Sequence, residues 1–307
     1  MSKNLSLING KFKDSISVYD RGLAYGDGFF ETMLWDSFKD KNKINVGVEF
    51  WLRHLERIKD GCRLMQINFP TNDEIIRQRN KLLKASLKRK KSGLLKMIIT
   101  RGVGGRGYKF EKNMSPTIIF LSLQKPKIEK KYFKSGVTVK ICKTHLSKNT
   151  NLFGFKHLNR LDSVLARSEW EDEKIFEGVF VDSKKNILEG TMTNIFFVQK
   201  KTLFTPTIID SGINGVMRQV VIDNAKLFFD KVIIKNINLS DIKKFDQMFL
   251  TNSVLKVMPV SRFEKKKFVK KKNVADLINF FNCQNDLEKT ERLNLIYLKF
   301  FKNIFFF

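Results

Sequence analysis

The sequence predicts an α/β (α+β) protein of two domains, each with a mainly antiparallel or mixed sheet plus helices. Short segments alternate apolar and polar residues as strands do, and longer segments carry apolar residues at helical spacing. The stretch "LQKPKIEKK", with a proline among lysines, is typical of a connector, which we place at 124–130. The chain of 307 residues is long enough for two domains with a sizeable core.

The first predicted domain covers residues 1–123 and begins with a hairpin. "LSLING" and "KFKDSISVYD" alternate apolar and polar residues on either side of Asn9-Gly10, a two-residue turn signal. "VEFWLRHLERIKDGCRLM" and "TNDEIIRQRNKLLKASL" are predicted amphipathic helices, and Thr71 and Glu74 are placed as a capping box at the start of the second. "GLLKMIIT" and "SPTIIFLSL" are predicted strands that complete this domain.

The second predicted domain covers residues 131–282. The strand-like segments "GVTVKIC", "EGVFVD", "TNIFFVQ" and "KTLFTP" are interleaved with helices predicted at about 158–172 and 215–229. Residues 283–307 form an extension with apolar residues at helical spacing, in a run too short to span a bilayer. We expect it to pack on its own domain or to be incidental, and an interfacial membrane anchor is the alternative.

Composition excludes several other classes of protein. Lysine and arginine total 58 against 31 acidic residues, a net charge of +27. These basic residues lie in separated runs without a nucleic-acid-binding motif, so we expect a solvated surface and no specific nucleic-acid partner. The three cysteines and three histidines show no metal-ligand spacing, so no metal is expected. No secretory signal or membrane-length apolar run is present, which favours a cytoplasmic protein without integral membrane association.

Two glycine-containing segments have different interpretations. "GVGGRG" at 102–107 matches G-x-G-x-x-G, but the residues after it include Pro116 and resemble a strand, whereas a dinucleotide site needs a helix there. A turn between two strands is the better interpretation. "DSGINGVMRQ" places Gly212 and Gly215 before a predicted helix, where backbone N–H groups and the helix dipole favour a phosphate; simple capping is the alternative.

Lys156, in "FGFKHLNRLDSVLARSEW", stands between phenylalanines and a predicted helix. The positive end of the helix dipole and the neighbours Phe153 and Phe155 both favour a neutral amine, the nucleophile that forms a Schiff base with an aldehyde cofactor. Pyridoxal phosphate also needs an anion at its ring nitrogen and a cradle for its phosphate. Glu189, predicted where one strand turns back into the next, is the candidate anion, and the helix after Gly215 is the candidate cradle. Taken singly, Lys156 could equally be an ordinary surface lysine, and Glu189 a solvated glutamate.

Seven segments together resemble one enzyme family: "YDRGLAYGDGFFET", "HLERIKDGC", "LLKMIITRGVGGRGY", "KHLNRLDSVLARSEW", "ILEGTMTNIFF", "GINGVMRQ" and "LTNSVLKVMPV". Their order and spacing, from about residue 5 to 280, are similar to those of the fold-type IV pyridoxal-phosphate enzymes. The resemblance implies pyridoxal 5'-phosphate, an active site between the domains and a homodimer. Within the family, "KHLNRLDSVL", "RGVGGRGY" and "VMPV" look most like the lyases that convert 4-amino-4-deoxychorismate to 4-aminobenzoate and pyruvate for folate biosynthesis. A branched-chain or D-amino-acid aminotransferase is the alternative function.

The resemblance also implies roles for individual residues. Lys156 matches the Schiff-base lysine, Glu189 the partner of the pyridinium nitrogen, and Thr32 a threonine that is a candidate acid in the lyases. The implied cofactor contacts are Arg57, Arg160, Asn252, the Ser253 hydroxyl and the backbone N–H groups of Val216 and Met217. The candidates for binding substrate carboxylates are Arg106, Tyr108, Lys96 and Arg101. Because Lys96 and Arg101 are five positions apart, one regular strand would direct them to opposite faces, so we expect at most one of them to reach the substrate. The chain departs from the family pattern at Leu34, where relatives often have an arginine, and at Ser253, where some lyases have a small apolar residue.

Overall fold

The computed structural model describes residues 4–40 and 43–282. These residues divide into two compact units. The first unit contains the described residues up to Pro126 together with Lys156–Asn159, and the second contains Lys127–Phe155 and the described residues from Arg160 onward. The division between Pro126 and Lys127 lies inside the segment 124–130.

The first unit is built on one antiparallel sheet. Its described strands are β1 (Leu5–Ile8), β2 (Lys11–Phe12), β3 (Gly28–Asp40), β4 (Lys43–Val48), β5 (Ser92–Thr100) and β6 (Thr117–Leu123). They lie in the order β2-β1-β6-β5-β3-β4, and every neighbouring pair is antiparallel. Asn9 and Gly10 join β1 to β2 with φ values of 48° and 74°, the left-handed turn conformation that an Asn-Gly pair favours. The predicted hairpin is confirmed.

Helices cover this sheet. The described helices of the first unit are α1 (Arg21–Tyr25), α2 (Trp51–Leu64) and α3 (Asn72–Leu87). α2 packs beside β3, and α3 packs beside β1 and β6. The predicted apolar stripe of α2 is confirmed, because Leu55, Ile58 and Cys62 are buried. These contacts fix α2 against the strand that carries Thr32.

The second unit is built on a larger mixed sheet. Its described strands are β7 (Val137–Ile141), β8 (Ile175–Val181), β9 (Asn186–Gly190), β10 (Asn194–Gln199), β11 (Thr202–Thr205), β12 (Lys231–Ile234), β13 (Ile237–Asn238), β14 (Gln247–Asn252), β15 (Lys256–Phe263) and β16 (Lys266–Lys267). The order is β12-β11-β10-β14-β15-β7-β8-β9-β13, with β16 paired to β15. The pairs β11/β12, β15/β7 and β7/β8 are parallel, and the other neighbouring pairs are antiparallel.

Helices and a phenylalanine-rich core complete the second unit. The described helices are α4 (Lys130–Ser135), α5 (Leu161–Arg167), α6 (Val216–Asn224) and α7 (Lys272–Asn282), with 3₁₀ turns at Ala225–Leu227 and Leu239–Lys244. Phe197 stacks on Phe245 with ring centroids 4.8 Å apart, and the valines and isoleucines of β7, β8 and β10 pack around this pair. This packed core supports β9, which carries Glu189 near its end, and the short connection from β9 to β10.

The segment from Lys156 to Asn159 departs from both predictions made for it. The sequence placed it in the domain at 131–282 and inside a helix from about 158, whereas it groups with the first unit and α5 begins only at Leu161. Its backbone is hydrogen-bonded to the start of β3, since the N–H of Leu158 donates to the carbonyl of Gly28 at 3.0 Å. The bridge between Phe29 and His157 pairs this segment with β3, and Arg160, the N-cap of α5, has a φ of −120°, outside the helical region, so α5 starts only at Leu161.

The predicted helix at 215–229 is correct only in part, whereas the predicted loop at 102–107 is confirmed. The predicted helix at 215–229 is correct in its first part, but it ends at Asn224 and continues only as the 3₁₀ turn. "GVGGRG" is a loop between β5 and β6, as predicted, so the dinucleotide interpretation lacks the helix it requires. Among the described helices, none is long and apolar enough to cross a membrane. The extension at 283–307 lies outside the described residues.

The capping box at the start of α3 gives a first test. The Thr71 hydroxyl accepts from the N–H of Glu74 at 3.3 Å, while the Glu74 side chain accepts from Gln78 rather than returning to Thr71. We expect Thr71→Ala to lower the free energy of unfolding by about 1 kcal/mol, because one helix N–H loses its side-chain acceptor. Thr71→Ser is the control and should stay within a few tenths of a kcal/mol of wild type in urea titrations. Equal losses in both variants would show that the hydroxyl does not cap the helix.

Candidate active site

Lys156 is held at the edge of the first unit's sheet. The N–H of Phe30 donates to the carbonyl of Lys156 at 3.0 Å, and Phe29 and His157 form an antiparallel bridge. The prediction that Lys156 stands at a helix start is therefore wrong, and the helix-dipole argument does not apply to it. The Lys156 amino group instead lies 4.5 Å from the centroid of the Phe30 ring. The face of an aromatic ring attracts a cationic amino group and so helps to hold this side chain in position.

Thr32 and Lys96 lie on the same face of the sheet as Phe30. Side chains alternate along β3, so Phe30 and Thr32 point the same way. Lys96, on β5, is the residue directly opposite Thr32, and its amino group is 5.0 Å from the Phe30 centroid. One sheet face therefore presents a hydroxyl and two amines around one aromatic ring. An arrangement of this kind can donate a proton and bind an anion.

The opposite face of β3 carries a buried charged group that the sequence reading missed. Glu31 is 1% exposed, and its carboxylate accepts from Arg57 Nε at 2.7 Å and from Arg57 Nη2 at 2.6 Å. The Nδ1 atom of His54 lies 2.6 Å from Oε2 of the same carboxylate, the oxygen that also accepts from Arg57 Nη2. Burial alone would raise the pKa of Glu31, but the charges and hydrogen bonds of Arg57 and His54 outweigh it and lower the pKa to about 2.

The same cluster determines the protonation state of His54. Burial lowers the pKa of His54, and the nearby charges of Arg57 and Lys156 act in the same direction, against the attraction of Glu31. A neutral ring beside an ionised carboxylate donates through Nδ1, so Glu31 fixes the tautomer. Arg57 is thus held by two parallel hydrogen bonds to a carboxylate that also contacts His54, a geometry that orients its guanidinium.

Arg101 belongs to a buried ion-pair cluster. Its Nε and Nη2 atoms donate to Asp27 at 2.7 Å and 3.0 Å, and its Nη2 and Nη1 atoms donate to the carbonyls of Met65 and Gln66. Arg21 donates to the same carboxylate at 2.9 Å. Arg101 is 4% exposed, so its N–H groups bind partners inside the first unit. These contacts favour a structural role for Arg101 and leave Lys96 as the stronger substrate candidate on β5.

Arg21 also anchors the loop that carries Arg106 and Tyr108. Its Nη1 donates to the carbonyl of Gly107 at 2.8 Å and its Nη2 to the carbonyl of Tyr108 at 3.3 Å. The hydroxyl of Tyr25 accepts from the N–H of Gly107. Arg106 and Tyr108 themselves are exposed, and Tyr108 is 86% accessible. Both side chains of the loop are therefore accessible to solvent, while Arg21 and Tyr25 hold its backbone by hydrogen bonds.

In the second unit, Glu189 lies at the predicted strand-to-strand turn, at the end of β9. It is 6% exposed. Its Oε2 atom accepts from the backbone N–H of Ile213 at 2.8 Å and faces the amide nitrogen of Asn194 at 3.4 Å. Asn194 also donates to the carbonyl of Ile213. Hydrogen bonds to a carboxylate hold it in one orientation, so the Glu189 side chain is fixed inside the second unit.

Two glycines permit this packing. A Cβ on Gly212 would lie 3.3 Å from Glu189 Oε2, and the residue has a φ of +84° that side chains rarely adopt. A Cβ on Gly215 would overlap the side-chain oxygen of Asn194. The glycines therefore let the segment before α6 approach Glu189 and Asn194 closely, a role beyond simple capping.

The N-terminus of α6 and two arginines complete the charged groups near Glu189. Gly215 is the N-cap, and it offers no side-chain acceptor to the first N–H groups, those of Val216 and Met217. Arg218 is 4% exposed, and burial lowers its pKa to about 10 against the attraction of Glu189. Burial also lowers the pKa of Arg160, and the charge of Glu189 again opposes the change. This part of the unit combines positive groups and a helix dipole, which favour an anion.

Asn252 and Ser253 lie in the turn between β14 and β15. The Asn252 side-chain oxygen accepts from the N–H groups of Val254 and Leu255 at 2.9 Å and 2.7 Å, and its amide donates to the carbonyl of Met192. Asn252 therefore shapes the turn that presents the Ser253 hydroxyl. Its bond to Met192 also ties that turn to the turn after Glu189.

Comparison with known proteins identifies the family of this chain. A family model for amino-transferase class IV matches residues 28–263. The chain belongs to this class IV family. The matched range includes Thr32, Lys156, Glu189 and Ser253.

Three relatives show how the class IV chain compares. It is 31% identical over 255 residues to an aminodeoxychorismate lyase of Vibrio harveyi, covering 83% of this chain and 89% of the relative. It is also 31% identical over 259 residues to a putative branched-chain-amino-acid aminotransferase of Methanocaldococcus jannaschii, covering 82% and 85%. The crystal structure of a 4-amino-4-deoxychorismate lyase from Pseudomonas aeruginosa superposes with a TM-score of 0.81 at 32% identity, over 92% of this chain and all of that one.

The sequence contained weak signals for the site residues that were missed in this class IV chain. His54 and Arg57 are three positions apart in a predicted helix, so they share a face, and Glu31 is a lone carboxylate in an apolar strand. A charge in such a strand requires a partner on the packed helix. Asn194 and Arg218 had no comparable signal, because neither breaks the pattern of its element.

The Glu31 cluster predicts acid sensitivity. The folded pKa lies near 2 and the ordinary value near 4.5, so as pH falls the unfolded chain takes up this proton first and the folded form loses stability. The difference corresponds to roughly 3 kcal/mol at neutral pH, lost between about pH 5 and pH 2. His54, whose folded pKa is also lowered, contributes a loss in the same direction.

We expect Glu31→Gln to lower the thermal midpoint at pH 7, because Arg57 loses its buried partner, and to lose less stability than wild type between pH 5 and pH 3. Asp60→Asn is the control, since Asp60 forms an exposed ion pair with Arg63. Thermal melts at several pH values measure both effects. Parallel pH profiles for wild type and Glu31→Gln would contradict the assignment.

Proposed function

We propose that this class IV protein is a pyridoxal-phosphate-dependent lyase that converts 4-amino-4-deoxychorismate to 4-aminobenzoate and pyruvate. The lyases of Vibrio harveyi and Pseudomonas aeruginosa support this activity by their similarity over most of the chain. The structural observation that carries the proposal is the hydroxyl of Thr32 directly opposite Lys96, on the face that Phe30 shares. A lyase acting on a dicarboxylate requires a proton donor and a cation, and this face offers both.

The residues present fit pyridoxal phosphate. Its aldehyde requires an amine, which Lys156 supplies, and its ring nitrogen requires a buried carboxylate, which Glu189 supplies. Its phosphate requires N–H donors and cations, which the start of α6, Ser253 and Arg57 offer. Gly215 lets Asn194 pack against the start of α6, because a Cβ at that position would overlap the Asn194 side chain. Arg160 and Asn252 are proposed as further residues that shape the cofactor's surroundings.

Each side chain then has a defined task. The bound cofactor supplies a carbonyl that takes up the substrate amine and a ring that accepts electrons. The Lys156 amine removes the proton from the substrate carbon that bears nitrogen. Glu189 holds the ring nitrogen protonated through the negative charge of its carboxylate. Thr32 donates a proton as the carbon–oxygen bond to enolpyruvate breaks, and the ring becomes aromatic.

The substrate carboxylates are assigned to cations of the first unit. Lys96 is proposed to bind one of them, because its amino group lies on the same face as Thr32. Arg106 and Tyr108 are proposed to bind the other from the exposed loop. An aminotransferase is the alternative activity, supported by the equal identity to the relative of Methanocaldococcus jannaschii. The homodimer and the cytoplasmic location expected from the sequence stay predictions.

The first functional test identifies the lysine and the reaction together. Purified wild type should be yellow, from cofactor bound through a lysine, and should release 4-aminobenzoate from aminodeoxychorismate. Lys156→Ala should lose the colour and turnover, whereas Lys131→Ala, a change at an exposed lysine paired with Glu129, should keep both. Colour in Lys156→Ala would assign the bond to another lysine. Formation of glutamate from branched-chain or D-amino acids and 2-oxoglutarate, without 4-aminobenzoate, would establish the aminotransferase instead.

The second functional test concerns Thr32. Thr32→Val keeps the shape of the side chain but removes its proton, so we expect kcat for 4-aminobenzoate formation to fall about 100-fold or more. The affinity for pyridoxal phosphate, measured by fluorescence titration, should stay within about 2-fold, because the hydroxyl is not assigned to the cofactor. Thr32→Ser should retain most activity. Turnover by Thr32→Val at a near-wild-type rate would show that another group donates the proton.

A further inference from the structure

Glu177 is a buried carboxylate without an assigned role in the proposed reaction. It lies on β8 and is 0% exposed. Its Oε1 atom accepts from the N–H of Gly178 at 2.9 Å, the N–H of Thr191 at 3.2 Å and the hydroxyl of Thr191 at 2.5 Å. Its Oε2 atom accepts from the N–H of Met192 at 3.2 Å and the hydroxyl of Thr193 at 3.0 Å. One carboxylate thus holds three successive residues, Thr191, Met192 and Thr193.

These three residues are the whole connection between Glu189-Gly190 and Asn194. The turn is closed by a bond from the N–H of Gly190 to the carbonyl of Thr193 at 2.7 Å. Gly190 lies so close to Glu177 that a Cβ would be 3.0 Å from Glu177 Oε2 and would overlap the hydroxyl of Thr193. The position of Glu189 relative to Asn194 therefore depends on how this turn is held.

The partners of Glu177 are neutral. Burial raises the pKa of Glu177, and hydrogen bonds from Thr191, Gly178, Met192 and Thr193 act in the opposite direction. A fully buried carboxylate is costly where only neutral donors compensate it. An apolar residue would avoid that cost but would leave the donors of the turn unsatisfied. The carboxylate is the group whose shape can accept from all three turn residues at once.

We propose that Glu177 is a positioning residue for Glu189: its carboxylate fixes the turn Thr191–Thr193 and thereby the distance between the Glu189 carboxylate, Asn194 and the N–H of Ile213. The inference rests on the proposed function, in which Glu189 holds the proton on the cofactor's ring nitrogen. A shift of the turn would weaken that contact while leaving Lys156 in place.

The variants separate this role from general stability. Glu177→Gln keeps the volume but directs an NH₂ group at hydrogen-bond donors, and Thr193→Val removes one donor without touching the carboxylate. Thr193→Ser keeps the hydroxyl and serves as the conservative partner. Gln247→Leu is the matched control, because Gln247 is buried in the same unit and bonds to Asn273 and the N–H of Lys271, away from the turn.

Four quantities are measured on each holoenzyme: the absorbance spectrum of the bound cofactor as a function of pH, the cofactor affinity, kcat with KM, and the thermal midpoint. We expect Glu177→Gln and Thr193→Val to shift the spectrum and its pH midpoint in the same direction as Glu189→Gln does. Their kcat should fall roughly 10-fold or more with KM within about 2-fold, because a small displacement of a catalytic contact is costly. Thr193→Ser should restore the wild-type spectrum, and Gln247→Leu should lower the thermal midpoint alone.

The contrary outcomes are distinct. If Glu177→Gln and Thr193→Val lower only the thermal midpoint, as Gln247→Leu does, Glu177 has a structural role and the inference is overturned. If Glu177→Gln does not fold, the comparison of Thr193→Val with Thr193→Ser decides in the same way. If Glu189→Gln itself leaves the spectrum and kcat unchanged, the assigned role of Glu189 in the proposed function fails, and the inference fails with it.

Discussion

The pairing of the backbone around Lys156 with the start of β3 is the constraint on which the first unit's site depends. The bonds from Phe30 to the Lys156 carbonyl and from Leu158 to the Gly28 carbonyl fix the lysine along a strand. Because a strand alternates its side chains, the register that places Lys156 beside Phe30 also determines which residues of β3 share its face. A register shift of one residue would present Glu31 there instead of Thr32. The delayed start of α5 follows from the same bonds.

Two buried glutamates illustrate how different partners give a carboxylate different properties. Glu31 is paired with the guanidinium of Arg57, and its pKa falls to about 2 despite full burial. Glu177 has neutral donors, and its pKa rises because burial dominates. The first arrangement orients a cation through charge, whereas the second orients a segment of backbone through hydrogen bonds. Both lie next to residues that we propose to contact the cofactor, Arg57 for Glu31 and Glu189 for Glu177.

Local patterns predicted most of the fold, and they did so where one physical cause dominates. The Asn9-Gly10 hairpin, the apolar stripe of α2 and the glycines before α6 depend on turn conformation, periodicity and space around a backbone, all of which are local in sequence. The predicted helix from about 158 failed because its first residues have a partner more than a hundred positions away, at Gly28. No local pattern contains such a partner.

The candidate site shows the same limit. Lys156, Glu189 and Thr32 are visible in the sequence because their motifs are specific, and their roles are now proposals with structural support. The sequence suggested Arg101 as a cation that binds substrate, but its N–H groups donate to Asp27 and two carbonyls. The sequence reveals that a charge is present near a motif. Whether that charge is already neutralised inside the protein depends on tertiary contacts.

The loop that carries Arg106 and Tyr108 is gripped by Arg21 only through main-chain carbonyls, those of Gly107 and Tyr108. Every amino acid provides such a carbonyl, so this anchorage does not depend on which side chains the loop displays. A replacement at Arg106 would thus leave these bonds in place, whereas the ring of Tyr108 also packs against Tyr25, with centroids 5.6 Å apart. In the proposed function, the backbone that tethers this loop and the Arg106 side chain that would bind substrate are therefore different atoms, so one can change without the other.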